Sequence, residues 1–117
     1  MTDIVILGGA RTAIGTFGGA LAGTTPIELG TIAAKAALER SDVEGAQISH
    51  AAFGHVINTE PKDMYVSRVA AMNAGVPDTT PAMNVNRLCG SGVQAIVSVV
   101  QSLMLGDAEF EIGRAHV

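Results

Sequence analysis

The sequence predicts an α/β fold in which a largely parallel sheet is layered with helices. Short apolar runs alternate with longer segments of helical periodicity in the order β-α-β-α-β-α, the pattern of parallel strands joined by crossover helices. Hydrophobic residues make up 48% of the 117 positions and charged residues 15%, enough apolar material for the core of at most one domain. The last predicted helix carries no charged side chain, so it belongs between layers and not on an outer surface.

The elements follow in order. Ile4-Val5-Ile6-Leu7, ended by Gly8-Gly9, predicts a strand buried on both faces. The connection after it holds Gly15, Gly18, Gly19 and Gly23, but no Lys follows them, so it is not a phosphate-binding loop. Thr25-Pro26-Ile27-Glu28 is a helix start: Thr25 caps, Pro26 takes the first helical position and Glu28 completes a capping box. Leu29, Ile32, Ala33, Ala36 and Ala37 give that helix one apolar face, and it stops before Gly45. Ala51 to Ile57 predicts a second strand with Phe53 and Val56 pointing into the core. Met64 to Asn73 predicts a second helix, closed by Gly75 and Pro77. Ala82 to Val85 is the third strand, and Val93 to Leu105 the third helix.

Between that strand and that helix lies Asn86-Arg87-Leu88-Cys89-Gly90-Ser91-Gly92, with the only cysteine of the chain. The first-turn N–H groups of a helix lack intrahelical partners and carry the positive end of its dipole. A thiol placed there is biased toward thiolate, the form that attacks a carbonyl. Gly90 and Gly92 remove side chains that would block a substrate from the sulfur. Cys89 is therefore the candidate nucleophile, with Gly90, Ser91 and Gly92 as its supporting loop.

Two other readings of these residues stand beside it. A lone cysteine often serves as a small buried hydrophobe, which would leave a non-catalytic interaction domain. Gly90-Ser91-Gly92-Val93-Gln94-Ala95 also fits the dinucleotide fingerprint G-x-G-x-x-A, with Asp107 and Glu109 following. That fingerprint places its first Gly straight off the strand, whereas Asn86, Arg87, Leu88 and Cys89 intervene here.

The remaining sequence narrows the function classes. A net charge of −4 without a Lys/Arg cluster argues against nucleic acid as a partner. The uncharged run from Leu88 to Gly106 contains Ser91, Gln94, Ser98, Gln101 and Ser102 and falls short of the ~20 predominantly apolar residues of a membrane span. Ile4 to Leu7 follows Asp3 and not basic residues, unlike a signal peptide, and one unpaired cysteine fits a reducing compartment, so the expected location is cytoplasmic. His50, His55 and His116 lack ligand spacing with one another or with Cys89, so no metal site is expected; His55 reads as a structural histidine. Asp42, Glu44, Glu60, Lys62 and Asp63 read as solvated surface.

Val85-Asn86-Arg87-Leu88-Cys89-Gly90-Ser91-Gly92 closely resembles the N-terminal active-site motif of the thiolases. Ala10-Arg11-Thr12-Ala13-Ile14-Gly15 resembles the turn after their first strand. Arg68-Val69-Ala70-Ala71 with Asn73-Ala74-Gly75-Val76-Pro77 resembles their second helix and its stop. Thr59-Glu60-Pro61-Lys62-Asp63-Met64-Tyr65 resembles the bacterial β-ketothiolase branch. The resemblance runs from Asp3 through Glu109.

The resemblance implies a five-layer α/β/α/β/α fold of two similar halves, of which this chain is an incomplete N-terminal one with the Cys89 helix in the central layer. It implies ping-pong acyl transfer on coenzyme A thioesters, which are substrates and not a resident cofactor. Cys89 would carry the acyl group as a thioester, and its backbone N–H would form part of an oxyanion hole. A thiolase also needs a coenzyme A-binding loop domain and a C-terminal half with an Asn-Glu motif, an activating His and an acid/base Cys. None of these has a counterpart here, so the 117 residues are expected not to turn over alone. The parent is expected to be a homo-oligomer, dimer or tetramer, with Asn84 to Leu88 as a dimer contact.

Residues 1–110 are thus assigned to an incomplete thiolase N-terminal domain. Glu111-Ile112-Gly113-Arg114-Ala115-His116-Val117 departs from the Gly-Gly-x-Glu-Ser-Met run expected of a thiolase there, and the opening of a common sequencing-library adapter encodes it. Residues 111–117 are therefore expected to be a non-native tail, and His116 to carry no functional weight.

Overall fold

In the computed structural model, which describes residues 3–114, helix α1 spans Pro26–Ser41 and starts as its sequence predicts. The Glu28 N–H donates to Thr25 Oγ1 at 3.2 Å, and the Thr25 N–H donates to Glu28 Oε2 at 2.7 Å. These bonds from Thr25, backbone first, hold the Glu28 carboxyl below its ordinary range. Asp42 ends the helix in the left-handed region.

Three short strands follow: β1 (His50–Gly54), β2 (Ala82–Val85) and β3 (Glu111–Arg114). They form one sheet in the order β2-β1-β3, with both pairings parallel, and Ala51 aligns with Ala82 on one side and Ile112 on the other. Helix α2 (Val66–Asn73) links β1 to β2, and helix α3 (Ser91–Leu105) links β2 to β3.

Alternation along β1 divides the core. Ala51 and Phe53 point to one face, where Ala34 and Leu38 of α1 meet Ala70 and Ala71 of α2. Ala52 points to the other, against Ala95 and Val99 of α3 and Val85 of β2. The result is an α/β/α sandwich with α1 and α2 on one side and α3 on the other. The outward face of α3 is uncovered: Val93 is 69% exposed and Leu105 78%. By length and composition Leu88–Leu105 could cross a membrane; in this fold its Ala95 and Val99 pack on the sheet instead.

Several expectations need correction. Ile4 to Leu7 forms no strand; Val5, Ile6 and Leu7 are all exposed. A doubly buried strand needs ladder partners and covering layers, and the described residues supply neither. The second strand is His50–Gly54 and ends before Ile57, because the chain leaves the sheet where the His55 ring meets Asn58, Nε2 to Oδ1 at 2.6 Å. A 3-10 turn, Pro61–Tyr65, replaces the first residues of the predicted second helix. The third helix begins two residues before Val93, at Ser91.

Asp63 is not solvated surface but fully buried. Its Oδ2 accepts from Thr59 Oγ1 at 2.7 Å, the Thr59 N–H at 2.6 Å and the Glu60 N–H at 3.1 Å. Burial alone would raise its pKa, but these bonds and the nearby His55 outweigh burial and leave the carboxyl below its ordinary range.

Residues 111–114 of the expected tail occupy the β3 position; Ala115, His116 and Val117 lie outside the described residues. The Glu111 side chain is wholly buried, and neither carboxylate oxygen has a hydrogen-bond partner among the described residues. His50 Nδ1 stands 3.7 Å away. The Arg114 guanidinium lies 5.3 Å from the Phe53 ring centroid, and burial pushes its pKa down to about 10.

Candidate active site

The chain leaves β2 at Val85 and reaches α3 through a five-residue turn, 86–90. Leu88 sits at φ 48°, a left-handed conformation uncommon for a residue with a bulky side chain. Its peptide groups are held from both sides. The Leu88 N–H donates to Asn86 Oδ1 at 3.0 Å, and Ser91 Oγ donates to the Leu88 carbonyl at 2.6 Å. Ser91 Oγ also accepts the Arg87 N–H at 2.8 Å, so one buried hydroxyl holds the adjacent Arg87 and Leu88 to the start of α3. The Arg87 guanidinium reaches Gln94 Oε1 at 2.6 Å, tying the turn to the helix it opens into.

This arrangement presents Cys89 exposed, one residue before Gly90, the N-cap of α3. Gly90 supplies no side-chain cap and the first turn carries no acidic residue, so the start of α3 next to Cys89 has no side-chain partner for its orphan donors. The turn's own hydrogen bonds use the N–H groups of Arg87, Leu88, Gly90 and Ser91, and not that of Cys89.

The four predicted site residues are consecutive, and the fold gives each a different place. Cys89 is at the apex, and Gly90 faces open space, where an added Cβ would meet nothing nearer than the Arg87 carbonyl oxygen at 3.4 Å. Ser91 is the inward brace, and Gly92 lies in the first turn of α3 against the end of β1. The approach there is close: a Cβ on Gly54 would lie 2.8 Å from the Ser91 carbonyl carbon and 2.9 Å from the Gly92 nitrogen. Only glycine at position 54 lets α3 begin where it does.

Neither histidine among the described residues joins the site. His55 is buried beside Asn58, and His50 faces Glu111. Among the described residues no group of three His, Cys, Asp or Glu side chains could hold a metal ion. The turn at 86–89 separates β2 from Gly90, so the G-x-G-x-x-A pattern does not occupy the tight strand-to-helix turn that dinucleotide binding requires.

Sequence reasoning read Asn84 to Leu88 only as a dimer contact and part of a motif, and missed the turn bond of Asn86, the left-handed Leu88, the cap that Asn84 gives α2, and the need for Gly54. Only Asn86 left a local signal, since an Asn two residues before a left-handed position is a recognised turn former. The others depend on contacts between segments far apart in sequence.

Residues 4–113 match the family described as the thiolase N-terminal domain. The chain belongs to the thiolase family. It is 54% identical over 111 residues to the β-ketothiolase BktB of Cupriavidus necator, covering 95% of this chain and 28% of that protein. It is 45% identical to an acetyl-CoA acetyltransferase of the same organism, covering 96% and 28%. Among solved structures, the acetyl-CoA acetyltransferase of Bacillus anthracis superposes with a TM-score of 0.88 at 37% identity, covering 95% of this chain and 28% of that one. Human mitochondrial 3-ketoacyl-CoA thiolase in complex with CoA gives 0.85 at 34% identity, covering 94% and 29%. The chain thus has the fold of a thiolase N-terminal segment and spans about 28% of the length of the curated relatives it matches.

Proposed function

We propose that the protein carrying this segment is a thiolase-type acyltransferase acting on coenzyme A thioesters, with Cys89 as the nucleophile. The observation that carries the reading is the exposed Cys89 on a braced, left-handed turn at the uncapped start of α3. The names of its relatives, acetyl-CoA acetyltransferases and a β-ketothiolase, agree with it.

In the first half-reaction the Cys89 thiolate attacks the carbonyl carbon of an acyl-CoA, the carbon–sulfur bond to coenzyme A breaks, and coenzyme A leaves with a proton. Negative charge builds on the carbonyl oxygen as the tetrahedral intermediate forms. The Cys89 N–H, outside the turn's own bonds, is placed to receive it, and a donor fixed in advance costs no reorganisation. In the second half, a second acyl-CoA that has lost its α-proton attacks the thioester and releases a β-ketoacyl-CoA, returning Cys89 as thiolate. Thiolysis runs these steps backward.

The acid/base groups and the coenzyme A site belong to the remainder of the parent, so the 117 residues alone do not turn over. The parent is a cytoplasmic homo-oligomer without nucleic-acid or membrane partners. Residues 111–117 are a non-native tail, a reading supported by the buried, unbonded carboxylate of Glu111; in-frame resequencing of the source DNA past codon 110 tests it.

The function is tested with a chimera in which residues 1–110 replace the matching segment of the Cupriavidus necator β-ketothiolase. We expect thiolysis of a β-ketoacyl-CoA, an acylated Cys89 peptide by mass spectrometry on trapping, and loss of both in Cys89→Ala. A Cys89→Ala chimera that turns over normally would falsify the assignment.

A further inference from the structure

Helix α2 has no local cap: its N-cap residue Tyr65 makes no side-chain bond to the first turn. The cap comes instead from the strand that leads to the nucleophile. Asn84 Oδ1 accepts the Ser67 N–H at 3.1 Å, and Asn84 Nδ2 donates to the Met64 carbonyl at 3.0 Å. Ser67 is itself buried while Asn84 is exposed, so without Asn84 the Ser67 N–H would depend on solvent reaching it.

The next two residues are tied to the same connection. The His55 N–H donates to the Val85 carbonyl at 2.9 Å, and Asn86 Nδ2 reaches the Val56 carbonyl at 3.5 Å. Three consecutive residues, 84 to 86, thus find anchors in the 55–67 connection. That connection is stiffened internally by the three bonds that converge on buried Asp63.

We propose that Asn84 is a positioning residue for the thiolase reaction: as a cap of α2 supplied from another element, it sets the height of β2 and hence of the turn that presents Cys89. The proposal rests on the acyltransferase reading above. Asn84 touches no reacting atom; it acts through Asn86 and the Leu88 turn. Ser67 N–H and Met64 C=O need an acceptor and a donor at fixed separation, which the Asn carboxamide supplies and Asp does not.

The test uses the same chimera with Asn84→Ala, Asn84→Asp and Asn84→Ser, and Thr25→Ala as the control. Thr25→Ala removes the cap of α1, which packs on the opposite side of the sheet from α3, and loses a comparable helix-end bond. We expect Asn84→Ala to lower kcat roughly tenfold with KM nearly unchanged, as sub-ångström misplacement of a nucleophile does. The iodoacetamide rate of Cys89 should shift as well. Asn84→Asp keeps an acceptor for Ser67 at the same reach and loses only the donor to Met64, so it should recover part of the loss. Asn84→Ser, whose hydroxyl is one bond shorter, should not, and Thr25→Ala should leave kcat and the alkylation rate at the parent value.

Equal kcat losses in Asn84→Ala and Thr25→Ala would reduce Asn84 to a stability residue and overturn the proposal. So would an unchanged kcat in Asn84→Ala. If Asn84→Ala does not assemble, the split between Asn84→Ser and Asn84→Asp decides, since equal kcat in those two contradicts the proposal. An unmutated chimera that folds but does not turn over sinks the acyltransferase reading instead. The alkylation rates then still decide whether Asn84 positions Cys89.

Discussion

Replacing Gly54 by Ala tests the geometry of the site most directly. The added methyl would lie 2.8 Å from the Ser91 carbonyl carbon and 2.9 Å from both the Gly92 nitrogen and the Ser91 oxygen. Those are backbone atoms, so no side chain can swing aside. Restoring ordinary contact at 3.4 Å requires the start of α3 and the end of β1 to part by at least about 0.6 Å. Cys89 lies two residues before Ser91, on a turn braced by the Ser91 hydroxyl, so the displacement passes into the proposed nucleophile. Overpacking of this kind costs about 1–3 kcal/mol of stability, and a misplaced nucleophile loses roughly tenfold to a hundredfold in rate. In the chimera, chemical denaturation reads the first effect, and kcat for thiolysis with the Cys89 alkylation rate reads the second. Gly54→Ala with parental stability and kcat would show that α3 is not seated on β1 as described.

Other outcomes follow from the same structure. Ser91→Ala removes the acceptor of the Arg87 N–H and the donor to the Leu88 carbonyl in a buried site. It should cost about 1–3 kcal/mol and lower kcat more than it raises KM; parental kinetics would free Leu88 from any need for this brace. Asp63 has a depressed folded-state pKa, so its stabilisation is present above its unfolded value of 3.8 and is lost as pH falls through the lower folded value. Asp63→Asn should therefore lower stability at neutral pH and flatten the acid limb of the stability profile below about pH 4. An acid limb identical to the parent's would mean that Asp63 is not the group titrating there. Glu111→Leu removes a buried carboxylate without hydrogen bonds and should raise the stability of the 117-residue chain by about 1 kcal/mol. A lower denaturation midpoint would show that the 3.7 Å approach of His50 already compensates the charge.

Much of this protein is decided locally. The Thr25–Glu28 capping box, the stop at Gly75 and the alternation around Phe53 each rest on residues within a few positions of one another, so their elements could be read from the chain. The candidate nucleophile stands out for the same reason: a strand, a lone Cys, two glycines and an uncharged helix stand in one continuous stretch. Tertiary structure decided what depends on distant partners. Ile4 to Leu7 has the composition of a strand, but a strand exists only where another offers it a ladder. Asp63 has the composition of surface, but three donors from Thr59 and Glu60 make burial tolerable. Gly54 and Asn84 look unremarkable in sequence because their work is done against Ser91 and Ser67, residues that only the fold brings near. The sequence therefore singled out Cys89 as the candidate reacting residue, and the tertiary structure determined how the turn that carries it is held, because position depends on contacts that no local pattern encodes.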